Sequence, residues 1–257
     1  MSNSFFRFKQ FIIHQDKCGM KVTTDASLFG AWVAEEVRNL GFGIGNLTET
    51  NFLHKKKIET ILDIGCGTGL LSLMLAQKCN AEIDAIEIDE DAASQALENE
   101  ESCHFKNKIN IINTDIRNYH PGKKYDIIIS NPPFYENELK SDSSKKNKAH
   151  HSDSLKLEEL LLAIKNNLST DGFFFLLLPY KRESEIRMLM EKSQLTLIQI
   201  RLVRQSVNHD YFRILLKGKI NSNSNEEIIF DEISIKDERE QYTEEFAKLL
   251  EDYYLYL

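Results

Sequence analysis

Short apolar runs alternate with helical patterns from residue 58 onward. Strand-length apolar runs occupy 58–64, 81–88, 109–113, 125–130, 172–179, 195–203 and 211–217, and helical patterns occupy 69–78, 90–100, 155–168 and 182–192. This alternation is typical of an α/β fold with a parallel sheet and crossover helices on both faces. The last two strands are joined by 204–210, which is too short for a crossover helix, so we expect them to pair antiparallel. The pattern predicts a mostly parallel sheet that is mixed at one edge.

Two segments flank this unit. A helix is predicted over 24–38, because apolar residues recur on one face and Thr24-Asp25 can cap its start. Beyond residue 220, a strand is predicted over 227–235 and a closing helix over 243–254. We therefore expect a helical segment packed on the core (1–57), the core itself (58–220) and a strand-and-helix tail packed on the same domain (221–257).

The composition indicates a globular protein. The 257 residues are 42% hydrophobic and 28% charged, which suits one large core with appendages. Charges stand among the first nine residues, where a signal peptide needs an apolar region, and no run of about 18 apolar residues follows. We expect a cytoplasmic protein with no membrane partner. The four cysteines form no C-x-x-C pair, and His150-His151 has no metal-ligand neighbours in sequence, so we expect reduced thiols and no metal.

The net charge of −8 is concentrated in the tail. Residues 221–257 hold 11 Asp/Glu and 3 Lys/Arg, whereas residues 1–220 hold 29 of each. Within the neutral body, the aperiodic stretch 136–153 is rich in Ser, Lys and Asn and is expected to be a flexible basic loop. An acidic chain therefore does not exclude an anionic partner, because the position of the charge matters more than its sum.

The tetrapeptide Asn131-Pro132-Pro133-Phe134 follows the apolar run 125–130. The Asn131 side-chain oxygen and the Pro132 carbonyl are hydrogen-bond acceptors, and the Phe134 ring can stack on a planar group. Two consecutive prolines restrict the turn to one extended geometry, which holds the acceptors in place. Alone, such a turn is as often a plain strand end. Beside a ligand site, it predicts a place that holds a conjugated amino group.

Three glycines follow the first strand of the parallel unit, within 63–69, which reads Asp-Ile-Gly-Cys-Gly-Thr-Gly. Doubly wound sheets bind ligands at this end of their strands. The position that a dinucleotide fingerprint reserves for its third glycine is Leu70, which disfavours nicotinamide and flavin cofactors. Glycines at every second position let a ligand lie against the backbone, and Asp63 adds a negative charge. A cationic, amine-bearing ligand fits better than a pyrophosphate.

Acidic residues end the next two strands. Glu87 ends the second strand, where a carboxylate can accept hydrogen bonds from both ribose hydroxyls, and Asp89 is the fallback for that role. Asp115 follows the third strand and can reach an adenine edge. Each of these elements is often only a turn or a helix cap. Their order at four successive strand ends favours a single ligand site.

The four motifs together resemble those of S-adenosylmethionine-dependent methyltransferases that modify amino nitrogens, a family with a Rossmann-like seven-stranded sheet and an antiparallel edge strand. The flanks 6–11, 21–32, 149–150 and 242–255 resemble the bacterial tRNA1(Val) adenine-37 N6-methyltransferase family, and this resemblance covers nearly the whole chain. It implies S-adenosylmethionine as cofactor and tRNA as partner. The cofactor residues implied are Thr24, Asp63, Gly65, Cys66, Gly67, Gly69, Glu87, Asp115 and Asn131. The catalytic residues implied are Asn131, Pro132, Phe134 and Tyr135. Which of the two aromatic rings stacks on the substrate base is left open.

The expected activity is methylation of the 6-amino group of an unpaired tRNA adenine. Phosphate contacts are expected from the basic loop, through Lys140, Lys145, Lys146, Lys148 and His150, although such a cluster is more often a solvated surface. Three alternatives stay open: a ribosomal RNA guanine-N2 methyltransferase, a protein-glutamine N5-methyltransferase and a non-catalytic RNA-binding scaffold. The second usually carries an amino-terminal helical bundle, and the third should show an eroded glycine loop or turn. No obligate protein partner is evident.

Overall fold

The computed structural model describes residues 3–42, 57–105, 108–133, 155–220 and 227–257. In chain order, the elements within these ranges are β1 (Phe5–Arg7), β2 (Ile12–His14), α1 (Thr24–Phe42), β3 (Thr60–Ile64), α2 (Leu70–Lys78), β4 (Glu82–Glu87), α3 (Glu90–Glu101), β5 (Ile109–Asn113), β6 (Tyr125–Ser130), α4 (Leu157–Asn167), β7 (Leu168–Pro179), α5 (Glu183–Ser193), β8 (Leu195–Ser206), β9 (Tyr211–Ile220), β10 (Ile229–Lys236) and α6 (Glu244–Leu250). Short 3-10 turns cover Ile116–Asn118 and Tyr180–Arg182. No helix in these ranges is both long and apolar enough to cross a bilayer.

The main sheet has eight strands in the order β10-β8-β9-β7-β6-β3-β4-β5. Only β9 runs against the others in this sheet, because it pairs antiparallel with both β7 and β8. The predicted Rossmann-like, mostly parallel sheet and the antiparallel pairing of the last two long strands are confirmed. The count is eight instead of seven, because the tail strand β10 pairs parallel with β8. The antiparallel strand consequently lies inside the sheet and not at its edge.

The core lies on both faces of this sheet. Adjacent residues of a strand point to opposite faces, so Phe174 packs in the cluster under α4 and α5 while Phe175 packs in the cluster under α1 and α2. The Phe175 ring meets Trp32 of α1 edge to face, with centroids 5.4 Å apart at 82°. Burial on both faces explains why β7 reads as a continuous apolar run instead of an alternating one.

The two ends of the chain pack together against α2. The backbone N–H of Lys9 donates to the Tyr253 carbonyl at 2.8 Å. The buried Tyr253 hydroxyl donates to the Met74 carbonyl of α2 at 3.0 Å. The division of the chain into three segments remains a prediction, but both end segments contact the core.

Several element limits differ from the prediction. The strand predicted from 172 begins at Leu168, which pairs with Tyr125, and the register shifts before the next pair at Ile127. A Cβ at Gly172 would stand 2.9 Å from the Asp126 carbonyl oxygen, so the glycine permits this irregularity. The closing helix ends at Leu250 and not at 254, because the Leu250 carbonyl accepts from the N–H groups of both Tyr253 and Tyr254.

Candidate active site

The site lies between β3 and β6, at the point where the strand order of the sheet reverses. Strands β3 and β6 are neighbours, with β4 and β5 beyond one and β7 beyond the other. In doubly wound sheets, ligands bind outside the carboxyl ends of the strands at such a point. A cleft of about 280 Å³ occupies this position. Three groups of residues line it: the glycine loop after β3, the segment before α1 with its first turn, and the strand ends that carry Asn131, Pro132, Pro179 and Arg213.

The glycine loop forms an open cradle. The N–H groups of Gly65 and Cys66 both donate to the Ile86 carbonyl, at 2.8 and 3.0 Å, which fixes the loop to the end of β4. Gly65, Gly67 and Gly69 have φ angles of +74°, +54° and +79°, a region that L side chains rarely adopt. An ideal Cβ on Gly65 or Gly67 would meet no atom within 4 Å. Open space therefore faces the backbone where the predicted cofactor has to lie.

Cys66 and Gly69 complete this loop. The Cys66 side chain is nearly buried and lines the cleft, and burial raises the pKa of its thiol well above the usual value. A neutral sulfur therefore faces the site. Gly69 precedes α2, and a Cβ there would touch Ala96 of α3 at 3.5 Å, an ordinary contact distance. Its role is the tight turn from loop into helix.

Asp63 lies fully buried beneath the loop. Its Oδ2 accepts a hydrogen bond of 2.7 Å from the Ser72 hydroxyl, while Oδ1 has no partner. Burial raises the pKa of Asp63 to about 7, against a usual value of 3.8. A buried carboxylate oxygen without a partner is rare in folded proteins and marks a place where charge or a donor is wanted. The observation fits a cationic, amine-bearing cofactor.

Glu87 joins the glycine loop to the start of α3. Its Oε2 accepts from the Gly67 N–H at 2.9 Å and its Oε1 accepts from the Asp89 N–H at 3.0 Å. Each carboxylate oxygen retains a second lone pair, so the group can also accept from ribose hydroxyls. The fallback residue, Asp89, caps α3 by accepting from the Ala92 N–H at 2.8 Å. The geometry favours Glu87 over Asp89 for the ribose.

Asp115 is already engaged by a neighbour. Its carboxylate accepts from the Arg117 backbone N–H at 2.9 Å, which caps the turn Ile116–Asn118, and from the Arg117 guanidinium at 2.6 to 3.0 Å. The guanidinium holds the pKa of Asp115 below its usual value. An adenine at this strand end would have to share the carboxylate with Arg117, so the assignment of Asp115 to the base stays a prediction.

The Asn-Pro-Pro turn follows a buried serine. The Ser130 hydroxyl donates to the Ile64 carbonyl at 2.7 Å and thereby joins the end of β6 to the end of β3. Asn131, half-buried, and Pro132, buried, follow at the cleft wall. The predicted aromatic and RNA-contacting residues of this region lie outside the described residues; they are Phe134, Tyr135, Lys140, Lys145, Lys146, Lys148 and His150.

The segment at the start of α1 differs from the prediction. Thr23 caps the helix, because its Oγ1 accepts from the Ala26 N–H at 3.4 Å. The expected capping role of Asp25 is therefore wrong: its buried carboxylate accepts from the Arg213 guanidinium at 2.7 Å instead. Thr24 is not among the cleft residues, and its side chain interacts with Tyr254. The structure brings Thr23 and Asp25 to the cleft and leaves Thr24 beside it.

Arg213 was not among the predicted site residues. It lies on β9, and because β9 is antiparallel its first residues reach the same edge as the carboxyl ends of the other strands. The pairing of 195–206 with 211–220 was the signal that could have brought it to the site. No group of three His, Cys, Asp or Glu side chains within the described ranges is arranged to hold a metal.

The chain is similar to known methyltransferases in sequence and in fold. The model of the methyltransferase small domain family matches residues 39–182. The tRNA1(Val) (adenine(37)-N6)-methyltransferases of Parabacteroides distasonis and Christiangramia forsetii are each 36% identical to the chain, covering 99% of both chains in the first case and 100% in the second. An S-adenosylmethionine-dependent methyltransferase of Clostridium acetobutylicum has the same fold, with a TM-score of 0.52 and 16% identity over 79% of this chain and 94% of its own.

These likenesses confirm three predictions. The fold is that of the class I methyltransferases, the chain is an enzyme of this type, and its cofactor is S-adenosylmethionine. The individual site residues are not tested by them and remain assignments from geometry. The chain belongs to the tRNA1(Val) (adenine(37)-N6)-methyltransferase family.

Proposed function

We propose that the protein methylates the 6-amino group of adenine 37 in tRNA1(Val). The observation that carries this proposal is that the glycine loop and Asn131-Pro132 line the same cleft. The hydrogen bond from Ser130 to Ile64 links the two strands that these segments follow. The loop suits a cationic cofactor, and the turn suits an amino group conjugated to a ring. Relatives named for this reaction match over nearly the full chain, which favours adenine 37 of tRNA1(Val) as the target.

The cofactor would lie along the glycine loop. S-adenosylmethionine supplies an electrophilic methyl group when bound. Gly65 and Gly67 would admit it to the backbone, Glu87 would accept from its ribose, and Asp63 would place negative charge beneath its amino-acid end. Cys66 lines the same wall, and Gly69 shapes the turn. Asp115 would accept a hydrogen bond from the adenine of the cofactor while its carboxylate also binds Arg117. Thr24 and Asn131 remain further candidates for cofactor contacts.

The turn would prepare the adenine nitrogen. Its lone pair is conjugated into the ring, so the free amino group is a poor nucleophile. Hydrogen bonds from its two hydrogens to the Asn131 side-chain oxygen and the Pro132 carbonyl would favour a pyramidal nitrogen and direct the lone pair into the cleft. As the bond from nitrogen to the methyl carbon forms, the bond from that carbon to sulfur would break and a neutral thioether would leave. The methylated nitrogen would then carry a positive charge and release one proton to water, so no strong general base is needed. Phe134 or Tyr135 would stack on the ring, a contact worth about 1–3 kcal/mol.

An unpaired target suits this chain. A base in a stem must be extruded at a cost of a few kcal/mol, whereas an anticodon-loop adenine is already unpaired. The basic side chains Lys140, Lys145, Lys146, Lys148 and His150 are proposed to contact tRNA phosphates, which adds affinity without sequence choice. A tRNA partner places the enzyme in the cytoplasm in this proposal.

The test is the class of methyl acceptor. Purified enzyme and radiolabelled cofactor are incubated separately with total tRNA, ribosomal RNA and cell protein from a strain that lacks this gene, and the labelled product is identified after digestion. N6-methyladenosine in tRNA is the expected result. Methylguanosine in ribosomal RNA, or label in protein glutamine, would replace the proposal with one of the alternative acceptors. Absence of transfer to every acceptor would support a scaffold instead of an enzyme.

A further inference from the structure

A surface of aromatic and arginine side chains adjoins the cleft on the side of β7 and β9. We call it the rim surface and define it by Tyr180, Tyr211, Arg204 and Arg213. Tyr180 follows directly on Pro179, which lines the cleft, and Tyr211 begins β9 two residues before Arg213, which also lines it. Pro179 and Arg213 are direct partners in the β7–β9 ladder. The rim surface is therefore continuous with the wall of the candidate active site.

The two tyrosine rings lie close together and are partly open to solvent. Their centroids are 5.4 Å apart and the rings are inclined by 52°. Tyr180 is 36% exposed, so part of its ring is accessible to a ligand. An exposed aromatic ring beside a second ring offers a flat apolar face with little conformational freedom to lose on binding. Such faces are the stacking platforms that single-stranded nucleic acids use.

Arginines help to hold this platform in place, and each of them is paired with a carboxylate. The Arg204 guanidinium lies 4.3 Å from the centre of the Tyr211 ring. It also donates to Glu232 at 3.2 Å, and the Tyr211 hydroxyl donates to the same carboxylate. Tyr211 is thus fixed by two neighbours, and Tyr180 contacts its ring. Arg213 is oriented by its bond to Asp25 and stands between the platform and the cleft.

A base at this platform would belong to the same strand as the base in the cleft. An unpaired nucleotide next to the target adenine would leave the cleft past one of its walls, and Pro179 and Arg213 form part of the wall beside the rim surface. Sequence-tolerant stacking needs only a π face, and every base has one. The Arg213 guanidinium binds Asp25 through its Nε–H, and its remaining N–H groups are donors that a linking phosphate could accept from. Aromatic face, donors and position all suit a nucleotide.

We propose that Tyr180, backed by Tyr211 and Arg204, is a stacking site for the nucleobase next to the methylated adenine. This inference rests on the proposed function and extends it, because it assigns a base-contacting site within the described residues. The site binds a nucleobase of any identity. It contributes to RNA affinity and leaves the cofactor site unaffected.

The experiment measures binding of an anticodon stem-loop RNA to the full chain at fixed salt. Tyr180→Ala should weaken binding about 5- to 150-fold, the change that corresponds to about 1–3 kcal/mol for one stacked base. Tyr180→Trp, which keeps a ring, should bind within a few-fold of wild type. Tyr256→Ala removes a tyrosine that is 88% exposed in the tail and serves as the matched control, with unchanged RNA binding. Cofactor affinity should be the same in all four proteins.

Stem-loops that lack one base decide whether the contact is to a neighbour of the target. Removing the stacked base should weaken binding by wild type as much as Tyr180→Ala does, and the two changes together should cost no more than either alone. Undiminished RNA binding by Tyr180→Ala, or costs that simply add for every abasic RNA, would overturn the stacking site. The wild-type reaction tests the proposed function separately: failure of wild type to methylate the intact stem-loop contradicts that function, whereas methylation with an unaffected Tyr180→Ala contradicts only the stacking site.

Discussion

The hydroxyl of Ser130 donates to the carbonyl of Ile64 at 2.7 Å, and both groups are buried. Ile64 and Ser130 are also partners in the ladder of β3 and β6, and the side-chain bond reinforces this pairing at the last residue of each strand. It therefore helps to fix the separation between Asn131-Pro132 and the glycine loop. A methyl transfer needs the two reacting groups in a near-attack geometry, which makes this separation part of the chemistry.

Ser130→Ala should therefore lower turnover more than its effect on stability suggests. The lost hydrogen bond contributes about 0.5–1.5 kcal/mol to the free energy of unfolding, while a small displacement of the turn can cost up to about 100-fold in rate. Ser193→Ala removes a comparable bond, from its hydroxyl to the Leu189 carbonyl at 2.8 Å, far from the site. Urea unfolding and kcat are measured for both variants. Equal kcat in the two would show that Ser130 has a purely structural role.

Gly67→Ala should lower both the stability of the protein and its affinity for the cofactor, and a matched glycine variant shows which effect comes from backbone strain alone. Alanine at a φ of +54° costs about 1–2 kcal/mol of stability, and its Cβ would also occupy the open face of the loop. Gly122→Ala is the matched control, because its φ is +69° and its Cβ would likewise meet nothing within 4 Å.

Both glycine variants should lose similar stability in thermal unfolding. Calorimetric titration should show weakened S-adenosylmethionine binding for Gly67→Ala and normal binding for Gly122→Ala. Normal cofactor binding by Gly67→Ala would mean that the ligand does not lie against this residue.

Asp63 should make the stability of the cofactor-free protein depend on pH. Its pKa is about 7 in the folded protein and near the usual 3.8 when unfolded. The folded state then binds the proton more tightly, so the stabilisation is fully present below about pH 4 and is lost as the pH rises through about 7. Asp63→Asn cannot titrate at this position.

The measurement is the free energy of unfolding, in urea, of wild type and Asp63→Asn across this range. Wild type should lose stability relative to the variant as the pH rises from about 4 to 7. Asp171→Asn replaces an exposed carboxylate and should follow wild type. A difference between wild type and Asp63→Asn that stays constant with pH would show that the carboxylate is not neutralised by burial.

Asn131→Ala should greatly lower turnover without weakening cofactor binding. The side-chain oxygen of Asn131 is assigned to the amino group of the substrate, so its loss should lower kcat by at least about 100-fold, the scale seen when one preorganised hydrogen-bond partner is deleted. The affinity for S-adenosylmethionine, measured by calorimetry, should change little. Asn166→Ala, at an exposed position of α4, is the control. A variant of Asn131 that keeps normal kcat would exclude it from the reaction.

Local patterns predicted the strands β3 to β9 and the motifs at their ends, because periodicity, glycine and proline act within a few residues. The same patterns could not place Arg213 at the cleft, since its position depends on β9 entering the sheet between β7 and β8. The hairpin of β1 and β2 escaped prediction because three-residue strands show no periodicity. Asp25 and Arg213 are 188 residues apart in sequence. Local sequence patterns therefore predicted that Asp25 caps the helix and could not show that it binds Arg213.

The position of methylation tests the central claim most directly. Wild-type enzyme, S-adenosylmethionine and an unmodified tRNA1(Val) transcript are incubated, and the RNA is digested and mapped by mass spectrometry beside a transcript that carries guanine at position 37. One N6-methyladenosine at position 37 of the first transcript, and no methylation of the second, is the predicted result. A methyl group at any other position or atom, or equal methylation of both transcripts, would contradict the assignment of this cleft to adenine 37.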